Sequence, residues 1–268
     1  EGPIMPELPD VQVFKEYADA TCLHQEIRGV HLRDVDRILE GVSASTLRRK
    51  LEGAAFERTR RHGKHLFLDT GETGCLMLHF GMTGFLEYFQ DQEGEKGPDH
   101  ARLLLDFPEG YRMAFVNTRK LGELGWTRDV ASFVKERGLG PDALEVEPRE
   151  LVEKLQGRRG SVKGALMKQE LLAGLGNVYT DEILFQTGLH PETRAGHLKE
   201  ETVKDLYRDM GRVLEKAIQG RVQEFPSDFL LPHRKEGADC PRCGGTIRKI
   251  RVSGRPTYFC DDHQGRKE

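Results

Sequence analysis

No apolar run in this 268-residue sequence approaches the ~20 residues that span a bilayer. Its first residues also lack the basic-then-apolar pattern of a secretory leader. Membrane and secreted classes are set aside on those grounds, and a cytoplasmic protein is expected. Long polar tracts are missing too. With 37% hydrophobic residues and 13 Phe there is enough apolar material for a folded core, in one large domain or two ordinary ones. A net positive charge is likewise absent, because 41 Lys and Arg stand against 44 Asp and Glu, leaving −3. Spread evenly, that balance would argue against a nucleic-acid binder. It is not spread evenly.

Residues 48–64, holding Arg48, Arg49, Lys50, Arg58, Arg60, Arg61 and Lys64, carry +5. Residues 157–168, with Arg158, Arg159, Lys163 and Lys168, carry +4, and residues 242–255 carry +5. The remainder of the chain therefore sums to −17. If folding gathers the three windows, they make a positive track for phosphates, with the acidic remainder facing away.

Of the five cysteines, Cys22 and Cys75 sit alone among apolar neighbours and read as buried thiols. The other three form Cys240-x2-Cys243-x16-Cys260-x2-His263, two close ligand pairs split by a short segment. That is the spacing of a structural zinc site, since each tight turn offers two donors to one ion and two turns close a tetrahedron. A disulfide is the weaker alternative, given the odd count and the missing leader. Between the pairs, residues 246–252 and 255–259 read as strands around a Ser253-Gly254 turn. Such a hairpin is too small to fold without its metal, and one closed Zn2+ is expected.

The rest of the chain divides by pattern. Pro9 to Gln25 carries Val13, Phe14, Tyr17, Ala18 and Cys22 at helical spacing. Residues 27–127 then hold short apolar or alternating runs broken by glycine, at 65–68, 75–78, 84–89, 101–107 and 111–116, which suits a β-sandwich. Gln90 to His100 reads as an exposed loop. Beyond residue 130 the pattern is helical, with a segment at 149–156 and a stripe from Val203 to Ile218. Between these, Lys168 to Glu182 reads as a helix, a glycine turn at Gly174-Leu-Gly176 and a new helix near Asn177. Backbone N–H groups at such a start favour a phosphate.

Met5-Pro-Glu-Leu-Pro-Asp10, Arg61-His-Gly-Lys64, His79-Phe-Gly-Met-Thr-Gly84, Ala173-Gly-Leu-Gly-Asn177-Val-Tyr-Thr-Asp-Glu182 and the terminal zinc hairpin follow in that order. Together they resemble the formamidopyrimidine-DNA glycosylase and endonuclease VIII family of base-excision repair enzymes. The resemblance implies an α+β fold. An N-terminal helix plus β-sandwich catalytic domain would cover residues 5–130, a helical domain with a helix–two-turns–helix motif 131–232, and a zinc finger 233–268. DNA would lie in the cleft between. It also implies that Pro6 supplies a secondary amine, forming a Schiff base with the opened sugar ahead of β- and δ-elimination. Glu7 would be the general acid/base and Lys64 would lie near the damaged nucleotide's phosphate. Asn177 and Arg255 would clamp phosphate, His79 would contact DNA, and Met82 would fill the space of the flipped base. The implied partner is double-stranded DNA with damaged bases or abasic sites, met by a nucleoid-associated monomer.

Two features depart from the family's pattern. Pro6 is preceded by Glu1-Gly-Pro-Ile-Met5, and a proline nitrogen inside a peptide bond is an amide that cannot act as a nucleophile. The expectation is that Met5 is the natural start, removed in the cell to expose the amine. The chain as printed should bind but be deficient in Schiff-base chemistry. If Pro6 stays blocked, the alternative is a non-catalytic damage-binding protein. In addition, the family's Asp-x-Arg-Arg/Lys-Phe-Gly wedge reads here Asn117-Thr-Arg119-Lys-Leu121-Gly122. Arg119 would face the orphaned base and Leu121 would replace the aromatic wedge. The short segment Gly220 to Pro232, where purine-lesion enzymes carry a longer loop, points away from oxidised-guanine specificity.

Overall fold

The computed structural model describes residues 5–91 and 97–265; residues 1–4, before Met5, and 92–96 of the expected loop lie outside the described residues. The chain forms two compact units, residues 5–6 with 10–137 and residues 7–9 with 138–265. Among the described residues no helix is long and apolar enough to cross a membrane.

The N-terminal unit begins with α1 (Leu8–Thr21), whose Val11 and Ala18 are buried with Cys22 just beyond. Periodicity alone carries this helix to Gln25, but it stops a turn earlier. Leu23 and Glu26 leave to bridge Phe56 and Ala55, with His24 at φ +59 between them. Next come β1 (Gly29–Leu32), β2 (Leu39–Glu40), α2 (Ala44–Leu51), β3 (Arg58–His62), β4 (His65–Asp69), β5 (Cys75–His79), β6 (Gly84–Gln90), β7 (Ala101–Asp106), β8 (Tyr111–Asn117), β9 (Glu123–Thr127) and α3 (Val130–Glu136). They build two sheets, ordered β1-β7-β8-β6 and β2-β9-β5-β4-β3, antiparallel except where β2 meets β9. Two-residue alternation turns Leu66, Leu68, Leu76 and Leu78 of one sheet into the same core as Leu103, Leu105, Met113 and Phe115 of the other. The sandwich expected from the spacing is the one observed. On the opposite face Phe67 is buried because the ring of Phe133 in α3 meets it edge-on at 5.2 Å.

Burial settles what several charged and thiol groups do. Arg48, Arg49 and Lys50 occupy the last turn of α2, where cations complement the helix dipole. Burial pushes the Cys22 thiol up to about 12 and that of Cys75 to about 11, so both are unreactive packing groups.

The C-terminal unit contains α4 (Pro148–Leu155), α5 (Val162–Leu166), α6 (Asn177–Thr187), α7 (Glu200–Gln219) and the hairpin β10 (Ile247–Val252) with β11 (Arg255–Cys260). Every residue of α6 from Tyr179 to Thr187 is buried, so this is the central helix, with Leu206, Met210, Val213 and Leu214 of α7 in the same core. Lys168 to Leu172, expected to be helical, is not. Helix α5 ends at Leu166, and Leu171 and Leu172 both donate to the Lys168 carbonyl in a turn whose continuation, Ala173, bridges Asp142.

An ion cluster with Lys163, Asp181 and Thr257 wholly buried, and Arg234 partly so, joins α5, α6 and β11. Lys163 Nζ lies 2.6 Å from Asp181 Oδ1 and 2.6 Å from Thr257 Oγ1. Asp181 Oδ2 accepts from Arg234 Nη2 at 2.9 Å and from the Tyr258 amide at 3.2 Å. Lys163 therefore does not belong to an exposed positive track. Because the cluster is desolvated, removing its one anion leaves two cations uncompensated. Asp181→Ala is expected to lower unfolding stability by about 3–5 kcal/mol in chemical denaturation. A loss near zero would show the cluster to be hydrated.

Candidate functional site

The glycine turn before α6 is shaped by the segment ahead of α1. Gly174 has φ +113, and a Cβ there would fall 2.5 Å from Leu8 Cδ1, so only glycine lets the turn close on Leu8. Leu8 N donates to the Gly174 carbonyl at 3.1 Å. Glu7, 1% exposed, then meets the start of α6. Its carboxylate accepts from the amides of Gly176 at 2.7 Å, Val178 at 2.9 Å and Tyr179 at 3.4 Å. This corrects the expectation of a phosphate at these N–H groups, because the anion on the helix start is the protein's own. Pro6, the residue before Glu7, is buried.

What α6 offers outward is a side chain. Asn177, half-buried in the first turn, has a buried Oδ1 with no hydrogen-bond partner. Arg255 is exposed at the first position of β11. The Lys163–Asp181–Thr257 cluster fixes their relation: Asp181 lies one helical turn after Asn177, and Thr257 lies two residues after Arg255 on the same strand face. Sequence reasoning missed Asp181, whose only signal is its i+4 spacing from Asn177.

In the N-terminal unit the remaining candidates sit at strand ends. Half-buried Lys64 occupies the two-residue turn between β3 and β4, made possible by Gly63 at φ +55. His79 ends β5, and its Nδ1 accepts from the Gly81 amide at 3.3 Å. Burial, then the nearby Lys64 and Arg137 charges, push its pKa down to about 4. Its neighbour His65, ring centroids 4.9 Å apart, is pushed by burial to about 3. At neutral pH His79 is uncharged, with Nε2–H as its donor.

Met82, half-buried, and the loop bearing Arg119 and Leu121 are bound into one body by Asn117. This wholly buried amide donates from Nδ2 to the Phe80 carbonyl at 2.9 Å and accepts from the Leu121 amide at 3.2 Å. A Cβ on Gly122 would strike Asn117 Nδ2, and one on Gly81 would strike the Leu121 backbone, so both approaches require glycine. Arg119 is exposed and Leu121 is 49% exposed. Water is a poor environment for that leucine, and a stacked apolar partner is a better one.

The sulfurs of Cys240, Cys243 and Cys260 lie within 4.8 Å of one another. His263 stands outside that cluster, with Nε2 2.8 Å from the Phe185 carbonyl. That contact leaves Nδ1 as the nitrogen available to a metal, as in zinc-binding histidines whose second nitrogen donates to a carbonyl. Three thiolates and an imidazole suit zinc. Cys240, Ile247 and Cys260 form only a small apolar cluster with Phe185 and Leu230, so the ion is structural.

Residues 5–124 match the formamidopyrimidine-DNA glycosylase N-terminal domain, residues 138–225 its H2TH domain, and residues 239–262 the zinc finger found in FPG and IleRS. The formamidopyrimidine-DNA glycosylase of Desulfitobacterium hafniense is 33% identical, covering 96% of this chain and 98% of that protein. The Bacillus subtilis enzyme is 29% identical, covering 98% and 100%. Among solved structures, Lactococcus lactis Fpg non-covalently bound to AP-site DNA has a TM-score of 0.85 at 26% identity, covering 96% and 99%. MutM in complex with carbocyclic 8-oxo-G DNA has a TM-score of 0.86 at 27% identity, covering 97% and 99%.

Two outcomes follow from the histidines and the thiols. The unfolded chain binds protons at histidine near pH 6.5, whereas folded His65 and His79 stay neutral until about 3 and 4. Stability is thus lost as pH falls below about 6.5, less steeply below about 4, and levels off only near 3. His65→Phe should reduce the difference in urea midpoint between pH 7 and pH 5; an unchanged difference removes His65 from that linkage. For the metal, His263→Cys should keep one zinc per chain and His263→Ala should lose it. Chelator should open the hairpin to trypsin at Arg248, Lys249 and Arg251, and a protease-resistant apo hairpin would contradict a structural ion.

Proposed function

The chain belongs to the formamidopyrimidine-DNA glycosylase family, and on that premise we propose that it excises oxidised or ring-opened bases from duplex DNA and then cleaves the strand at the abasic site. The observation that carries the assignment of chemistry is Glu7, buried, fixed by three backbone amides and adjoining Pro6 in the chain. A purely structural acid could cap α6 from the surface. This one is buried next in the chain to the residue whose nitrogen becomes a secondary amine once Met5 is removed.

With Pro6 at a free N-terminus, its nitrogen attacks C1′ of the damaged nucleoside, and the bond from C1′ to the base breaks as the base takes up a proton. The C1′–O4′ bond then opens, with Glu7 passing a proton to O4′, and an iminium forms between C1′ and Pro6. Loss of a C2′ proton expels the 3′ phosphate, and a second elimination expels the 5′ phosphate. Water finally releases the sugar fragment from Pro6.

Lys64 neutralises the phosphate of the reacting nucleotide, and Asn177 and Arg255 hold its neighbours. Met82, Arg119 and Leu121, locked together through Asn117, fill and face the space that the extruded base leaves. The non-catalytic alternative is not favoured, since relatives named as glycosylases match this chain along nearly its whole length.

A form beginning at Pro6 should be trapped by borohydride as a covalent adduct on abasic DNA, and a form in which Pro6 is peptide-bonded should not. A free Pro6 with no adduct would falsify the lyase assignment. Glu7→Gln should keep abasic-site binding while excision falls by about 10²–10⁴-fold. Lys64→Ala and Arg255→Ala should each weaken binding and flatten its salt dependence by about 1.

A further inference from the structure

The loop that joins β8 to β9 and carries Arg119 and Leu121 is held by the residue between them. Lys120 has φ +51, and it faces a second non-glycine residue in the same left-handed region, Asp34 at φ +51. Residues with a side chain keep that conformation only where their surroundings hold them in it. Here the two hold each other, because the Lys120 ammonium is ion-paired with Asp34 Oδ2. Lys120 is half-buried, whereas its neighbours Arg119 and Leu121 are exposed.

The Asp34 carboxylate is itself fixed from behind. Arg33 N donates to the Arg102 carbonyl at 2.9 Å and Val35 is buried, so the backbone at Asp34 is pinned on both sides. The pairing of β7 with β8 shifts by one residue, from Ala101 opposite Val116 to Leu103 opposite Phe115, which makes Arg102 the extra residue of a β-bulge. A bulge re-aims the side chain it carries. Arg102 is buried; its Nη1 donates to Asp34 Oδ2 at 3.0 Å and its Nε to the Asn117 carbonyl at 2.9 Å. One guanidinium thus spans Asp34 and the root of the loop, where Asn117 also binds the Leu121 amide. The Lys120 hydrogen bond, aided by the Lys120 and Arg102 charges, holds the Asp34 carboxyl below the usual carboxylate range, so it is an anion at neutral pH.

We infer that Asp34 is a positioning residue for recognition of the orphaned base: its carboxylate, aimed by Arg102, holds Lys120 in the turn that presents Arg119 and Leu121 together. The inference rests on the reading of those two side chains as the groups that enter the space left by the extruded base. An exposed ion pair by itself contributes little. This one has a pinned carboxylate, a buried arginine behind it and a left-handed residue in front. A loop that merely joined two strands could reach the same turn with glycine at position 120. Lysine there makes the conformation conditional on Asp34. Fixing the loop before DNA arrives lowers the ordering cost of inserting two flexible side chains.

The test is a double-mutant cycle read as affinity for a duplex with a tetrahydrofuran abasic analogue opposite cytosine. Asp34→Ala should weaken binding roughly five- to tenfold, and Asp34→Glu, which keeps the anion, should recover most of the loss. In a Leu121→Ala background the same Asp34→Ala change should cost no more than about twofold, because the loop has already lost an inserted group. Equal losses in the two backgrounds overturn the proposal, as does no loss in either, the result expected of a pair that only stabilises the fold. A single strand with the same analogue has no orphaned base, and Asp34→Ala should leave its affinity unchanged; an equal loss there also overturns the proposal. Leu121→Ala alone is the separate check. If it binds the duplex at full affinity, the reading of the loop has failed and the proposal falls with it.

Discussion

The interaction on which the rest depends is the Glu7 carboxylate on the first amides of α6. A helix start leaves several N–H groups without partners, and here one buried anion satisfies them. That bond ties residues 7–9 to the C-terminal unit although their neighbours on both sides belong to the other. It also fixes the orientation of Glu7, as the acid/base role proposed for it requires. The same carboxylate thus holds the fold and is the group to which the proposed function assigns proton transfer. Removing it would alter both, so the conservative Gln variant is the informative one.

Around this bond, charge is sorted by depth. Lys163 lies at the same level as Asp181 and Arg234, where an unpaired ion would be costly, and its function is to register α6 against β11. Arg158, Arg159, Arg194 and Arg255, by contrast, are exposed. The −3 net charge says nothing of this division. A protein that must stay soluble and still bind a polyanion can meet both demands by placing its cations in a few exposed strips.

Specific elements show how far the sequence could be read. The strands at 65–68, 75–78 and 111–116 and the hairpin at 246–259 were legible, because alternation and turn residues are local signals. Residues 22–25 and 168–172 carry a helical pattern yet are not α-helical. Their own propensities permit a helix, but pairing of Leu23 with Phe56 and of Ala173 with Asp142 overrides them. Asn117 illustrates a different failure. In sequence it is merely a changed letter in the wedge motif, whereas in space its two amide groups join the Met82 turn to the Leu121 loop.

The sequence by itself determined the architecture, the zinc ligands' spacing and the adjacency of Pro6 and Glu7 on which the proposed chemistry rests, since each is written in contiguous or regularly spaced residues. The tertiary structure alone decided which charges are available. Burial is a property of packing between distant segments, and it converts Lys163 from a phosphate contact into an internal strut. It also lets Glu7 displace phosphate from the start of α6, and it aims buried Arg102 at Asp34 and the Asn117 carbonyl. The cost of burying an unpaired charge draws that line, and no single stretch of sequence contains both partners.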